Sequence, residues 1–218
     1  MLSVCREFVE QVRYPLISVE SMKSLTFAEL AQRVGIFLRE DGHYEEATRP
    51  LKMDVEILTE IEGKVAPATL KASGELASLY RDQGKWEEAQ KLREEVLHMA
   101  RTLFGDEHPD TCTALVDLAV TYSDRGRNIE AVGLLEQVRE RRRRLLGYEH
   151  PDTLMVAENL SVIYVELGRW SEAAELQNEI LEGRKKLFGE EHLYTLSATA
   201  NLAVTYPSQG RWSEGQRL

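Results

Sequence analysis

A chain of 218 residues, 43% of them apolar, has ample material for a packed core in one or two domains. Its formal charge of −10 argues against a general binder of nucleic acid or of anionic membrane, since both are densely negative. With only Cys5 and Cys112, far apart in the chain, no disulfide framework is written and a reducing, cytoplasmic setting is expected.

In residues 1–21, Arg6 and Glu7 come too early to leave the apolar core of a secretion signal, and Pro15 interrupts any helix. This divergent segment reads as the second helix of a degraded repeat, with Cys5 standing 42 residues before Ala47. No apolar run approaches the length needed to span a bilayer, so a soluble protein is expected.

From residue 22 onward glycine keeps a fixed step. Gly42, Gly84, Gly126, Gly168 and Gly210 are 42 residues apart, and Gly63, Gly105, Gly147 and Gly189 repeat the same step midway. Two turn residues per step, separated by helix-length segments, specify a helix pair repeated along the chain. The repeats run 22–63, 64–105, 106–147 and 148–189, with a partial one at 190–218. The predicted fold is an all-α solenoid of about five antiparallel helix pairs.

The first helix of each pair carries a stripe ending in an aromatic: Leu76, Ala77 and Tyr80 return as Leu118, Ala119 and Tyr122, as Leu160, Ser161 and Tyr164, and as Leu202, Ala203 and Tyr206. These spacings lie on one helix face, and Val34, Gly35 and Leu38 hold the same places in degraded form. The second helix opens with an aromatic and a Glu-Ala pair: Tyr44, Glu46, Ala47, then Trp86, Glu88, Ala89, then Trp170, Glu172, Ala173. The third repeat has Asn128 for the aromatic, before Glu130 and Ala131, and the fifth has Trp212, Glu214 and Gly215. The Glu complements the positive end of the helix dipole, and the Ala permits close approach of the paired helices. Between pairs the chain reads GDEHPDT, GYEHPDT and GEEHLYT. Gly105 and its equivalents suit the left-handed conformation that ends a helix; Pro67, Pro109 and Pro151 suit the first helical position, and Asp110 and Asp152 add charge there.

A Leu-small-x-x-Tyr helix followed by a small residue nine positions after the Tyr (Tyr80 to Ala89, Tyr122 to Ala131, Tyr164 to Ala173) resembles the tetratricopeptide repeat family. The 42-residue unit with GxEHPDT turns and a GRW-x-EA start is similar to the kinesin-light-chain type, and to the arrays that end nucleotide-binding, oligomerising immune-like signalling proteins of fungi and bacteria. The resemblance covers residues 22–218 and implies a right-handed superhelix whose first helices line a concave groove for extended peptides. Asn159 and Asn201 match the Asn that holds a peptide backbone in this family; Arg33, Glu75 and Asp117 take its place in the other repeats. The implied groove also holds Glu29, Glu40, Lys71, Arg81, Asp82, Asp124, Glu158 and Glu166, an acidic excess that favours a basic or neutral partner segment. Residues 1–21 are too short for the heptad coiled coil by which kinesin light chains join the motor.

Several motifs tempt other readings. His108, His150 and His192 recur among acidic residues, but helices packed about 8–10 Å apart cannot bring them around one metal with bonds of about 2 Å. Arg139 and the run Arg141 to Arg144 could serve a nuclear signal, nucleic acid or an acidic partner; the plainer reading is cations at a helix C-terminus, because Arg184, Lys185 and Lys186 hold the same phase one repeat later. Gly63-Lys64 and Gly84-Lys85 lack the flanking Gly and Ser or Thr of a phosphate loop. Trp86, Trp170 and Trp212 read as packing between helices rather than as anchors for a partner. No catalytic, cofactor or metal site is predicted.

The partial fifth repeat predicts either a piece of a longer array or an open C-terminal end that self-associates, with Pro207 ending or bending the helix near Tyr206 and Gly215 weakening the next one. The leading functional reading is a protein-interaction scaffold in a signalling or adaptor protein; an architectural, self-associating array is the second, and nucleic-acid binding through Arg139–Arg144 the third. The tight contact expected at the Ala of the second helix yields a direct test. Ala131→Leu is expected to lower stability by about 1–3 kcal/mol in thermal unfolding; an unchanged melting temperature would remove the close-approach role.

Overall fold

The computed structural model describes residues 24–208. Among them the chain forms helices α1 (Leu25–Glu40), α2 (Tyr44–Ile61), α3 (Pro67–Asp82), α4 (Trp86–Phe104), α5 (Pro109–Asp124), α6 (Asn128–Leu146), α7 (Pro151–Glu166), α8 (Trp170–Phe188) and α9 (Leu193–Ser208). The expected all-α architecture of about five helix-pair repeats is thus observed, with the boundaries falling at one phase of the 42-residue step. The readings of Cys5, Pro15, Gly210, Trp212, Glu214 and Gly215, and of the open C-terminal end, lie outside the described residues.

The helices group into two compact units, 1–114 and 115–218. In the first, α1 packs on α2, α2 on α3 and α3 on α4; in the second, α6 packs on α7, α7 on α8 and α8 on α9. Serial packing follows from the apolar stripes. Each second helix has a buried face on a helical period, such as Ala89, Arg93, Val96, Leu97 and Ala100 in α4. Ala47, Ala89, Ala131 and Ala173 are all 0% exposed, as the small-residue position requires. In the first repeat the approach is closer still: a Cβ on Gly35 would lie 2.5 Å from Leu51 Cγ.

The turn inside each pair is a helix-ending motif built on the first glycine series. Gly168 N–H donates to Val165 O and Arg169 N–H to Tyr164 O, and the same two bonds recur at Gly42, Gly84 and Gly126. Their φ values of +70° to +83° are ones that only glycine adopts cheaply. The second series differs from expectation. Gly105, Gly147 and Gly189 do have positive φ, but with ψ of 174°, 164° and 170° they are extended rather than left-handed helical.

That extended glycine explains a residue with no role in the sequence reading. Thr69, Thr111, Thr153 and Thr195, each six residues after the glycine, donate from Oγ1 to its carbonyl at 2.7–2.9 Å. The histidines act in the same turns. His108, His150 and His192 accept the N–H of Asp110, Asp152 and Tyr194 through Nδ1 at 3.2 Å, capping the next helix, and His108 and His192 stack on Phe104 and Phe188. Pro67 opens α3 at the predicted position, and Leu193 opens α9 at the same phase without proline. Pro207 does not shorten α9, which reaches Ser208, level with the ends of α3, α5 and α7. A proline in the last turn forfeits one bond, to Ala203 O, with no further turn to disrupt. No helix among the described residues is long and apolar enough to cross a membrane.

Thr153 is 3% exposed, so Thr153→Val keeps the shape and orphans the Gly147 carbonyl. A loss of about 1–3 kcal/mol in denaturant unfolding is expected, against less than about 0.5 kcal/mol for the exposed Thr113→Val. Equal losses would remove the threonine from the turn's structure.

Candidate partner interface

The predicted site residues lie on the first helices, and each compact unit presents its own set. In the unit 1–114, Glu29, Arg33 and Glu40 are exposed on α1, with Lys71 exposed and Glu75 half-buried on α3. Arg39, absent from the predicted set, joins two of the carboxylates: its Nη1 donates to Glu75 at 2.8 Å and its Nε lies 3.7 Å from Asp82, which Arg81 also approaches at 3.8 Å. Part of the acidic excess counted from sequence is therefore already neutralised by this chain.

Beneath this face lies a group that sequence reasoning missed. Asp54 of α2 is 1% exposed and accepts from Gln32 Nε2 of α1 at 3.0 Å. The equivalent positions hold Val96, Val138 and Ile180, all buried. Burial pushes the Asp54 carboxyl up to about 6, and Glu75 adds to the rise, while the Gln32 bond and Lys71 oppose it.

In the unit 115–218, Asp117 is half-buried and Asp124 exposed on α5. Glu158 of α7 pairs with Arg184 Nη2 of α8 at 2.6 Å, and Glu166 accepts from Asn128 Nδ2 at 3.1 Å. Asn159 is half-buried and Asn201 exposed, and among the described residues no hydrogen bond engages either side-chain amide. Glu158 and Asn201 line one small cavity with Ser161, Gln177, Ile180, Arg184 and Ala198. The structure thus brings together Glu75 with Asp82, through Arg39, and Glu158 with Asn201, through the cavity.

Stacking in this unit is fixed by the stripe tyrosines. Tyr164 Oη donates to Glu136 Oε1 at 2.6 Å and the Tyr206 hydroxyl meets the Asn178 amide, so each reaches the preceding second helix. Burial, then the Glu136 bond, pushes the Tyr164 hydroxyl up to about 12. Arg169 lies over the Tyr164 ring at 4.2 Å and pairs with Glu172, as Arg127 does with the Tyr122 ring and Glu130. The Glu of the Glu-Ala pair therefore has a side-chain partner as well as a helix dipole to complement.

The arginine run divides. Arg142 is 6% exposed and donates to Asp152 O at 3.0 Å, as Arg184 does to Tyr194 O, while Arg139 pairs with Glu179. Arg143 and Arg144 close the last turn of α6, where cations are favoured. The tryptophans are less enclosed than expected: Trp86 keeps 39% of its surface exposed, and Trp170 is half-buried. No group of His, Cys, Asp and Glu able to hold a metal occurs among the described residues.

The raised Asp54 value sets a pH dependence. The folded state holds this proton more tightly than an unfolded chain of ordinary value 3.8, so the group's contribution falls as pH rises through about 4 to 6. Asp54→Asn is expected to gain about 1–3 kcal/mol on wild type between pH 4.5 and 7.5 in parallel denaturant titrations. Parallel profiles for the two proteins would remove the buried carboxylate from the account.

Residues 68–143, 117–186 and 163–215 match a family profile described as tetratricopeptide repeat. Among solved structures, a Podospora anserina protein described as a kinesin light chain with nearly identical TPR-like repeats is 31% identical, over 88% of this chain and 89% of that one, with a TM-score of 0.75. BtubC from P. vanneervenii reaches a TM-score of 0.79 over 99% of this chain and 85% of its own, at 17% identity, a likeness of fold. The apo form of RapI gives 0.77 at 12% identity over 97% of this chain and 56% of that one, again a likeness of fold. Nothing among curated proteins matches the sequence. With profile matches over most of its length and that 31% identical relative, the chain belongs to the tetratricopeptide repeat family, with the 42-residue repeat of its kinesin-light-chain-like members.

Proposed function

We propose that the chain is a recognition scaffold of a signalling or adaptor protein, gripping an extended segment of a partner along its first helices. The observation that carries this reading is the pair Asn159 and Asn201. They stand one repeat apart, with side-chain amides that no described residue engages, while Glu158 and Glu166 of the same unit are both paired. A carboxamide offers a donor and an acceptor together, which is what an extended peptide backbone needs from a side chain.

The partner segment is neutral or basic. In the unit 115–218, Asp117 and Asp124 add negative charge to the first helices, and Arg184, which lines the cavity with Asn201, is already held by Glu158.

Affinity purification from source cells, followed by titration calorimetry with the recovered partner segment, tests the reading. The double change Asn159→Ala, Asn201→Ala is expected to weaken binding about tenfold or more, with the helical circular dichroism unchanged. Undiminished binding by this variant, or tighter binding of acidic than of basic segments, would count against it.

A further inference from the structure

Two repeats of the unit 115–218 build the same bracket around an arginine. Arg127 lies 4.2 Å over the Tyr122 ring and reaches Glu130 with Nε and Nη2, each at 3.0 Å. Arg169 lies 4.2 Å over the Tyr164 ring and reaches Glu172 with the same two nitrogens. A guanidinium suits this place because its flat face stacks on the ring while its N–H fork meets the carboxylate.

One 42-residue step earlier, in the unit 1–114, the ring and the carboxylate return as Tyr80 and Glu88, but Lys85 stands where the arginine would be. An ammonium has neither a flat face to stack nor a fork, and Lys85 turns elsewhere, its Nζ lying 3.5 Å from Glu45. Lys52 Nζ is 6.0 Å from the Tyr80 ring centre, at the outer limit of a cation–π contact. Glu88 is exposed, and among the described residues no hydrogen bond or ion pair engages its carboxylate. Tyr80 is half-buried against the core, which holds its ring in place. Glu45, Glu87 and Glu88, all exposed in the first turns of α2 and α4, give the surroundings negative charge. Trp86 shares the first turn of α4 with Glu88 and keeps 39% of its surface exposed.

We propose that Tyr80 and Glu88 form a site for an arginine side chain of a partner protein, whose guanidinium takes the place that Arg127 and Arg169 fill in their own repeats. The site belongs to the unit 1–114 and stands independently of the grip assigned to Asn159 and Asn201.

A random-peptide display library, selected in parallel on the wild-type chain, Lys85→Arg and Glu88→Gln, tests it. The wild type is expected to enrich Arg about tenfold over Lys at one fixed position of the recovered peptides. Lys85→Arg keeps the net charge and supplies the chain's own guanidinium, so the preference should disappear. Glu88→Gln should abolish it by removing the carboxylate, both variants keeping wild-type circular dichroism. No fixed Arg on the wild type, equal enrichment of Lys and Arg, or a preference that survives either substitution would overturn the site. Each of those outcomes leaves the Asn159 and Asn201 grip to its own test.

Discussion

Four alanines, Ala47, Ala89, Ala131 and Ala173, sit at the start of the second helices with no exposed surface, and the rest of the structure depends on that contact. A pair of amphipathic helices has more apolar surface than it can hide by itself, so each pair must also cover its neighbour. Close approach at the alanine lets the second helix face both its own first helix and the next one, and longer side chains further along make the second contact. Tyr164 and Tyr206 show how that contact is fixed, each bonding through its hydroxyl to the second helix before it. Once second helices take both contacts, the first helices keep a face free of packing duty.

Four carboxylates of the first helices are held by partners from other helices. Arg39 reaches from α1 to Glu75 and Asp82 on α3, and Arg184 reaches from α8 to Glu158 on α7. Such pairs fix side chains that would otherwise cost conformational entropy on binding. Among the described residues no hydrogen bond engages the amides of Asn159 and Asn201. Asp54 plays a different part: it is a buried carboxyl where other repeats have Val or Ile, held by Gln32 of α1.

Features repeated at a fixed step were legible in the sequence, because glycine at a turn and alanine at a contact each have one dominant physical reason to recur. Gly42 and its series carry positive φ, and the alanines are buried. Gly105, Gly147 and Gly189 were legible only in part, since composition signals positive φ but not whether ψ is helical or extended. The threonine of each turn was overlooked although it recurs, its Oγ1 acting on a carbonyl six residues back. Asp54 and Arg39 were not legible. A lone charge in a helix reads as surface, and the partners of Arg39 lie 36 and 43 residues ahead (75 − 39 and 82 − 39), on a helix whose packing sequence alone does not supply. Pro50, buried inside α2, is tolerated at the cost of the bond its N–H would make to Glu46 O.

The central claim is that packing leaves the first helices a free face, on which we propose that the partner segment lies. The most direct measurement is a crystal structure of the chain bound to a peptide recovered by selection. The account predicts an extended backbone held by the Asn159 and Asn201 amides, lying on α7 and α9. A peptide seated instead on the outer surfaces of α6 and α8, with both amides untouched, would contradict it.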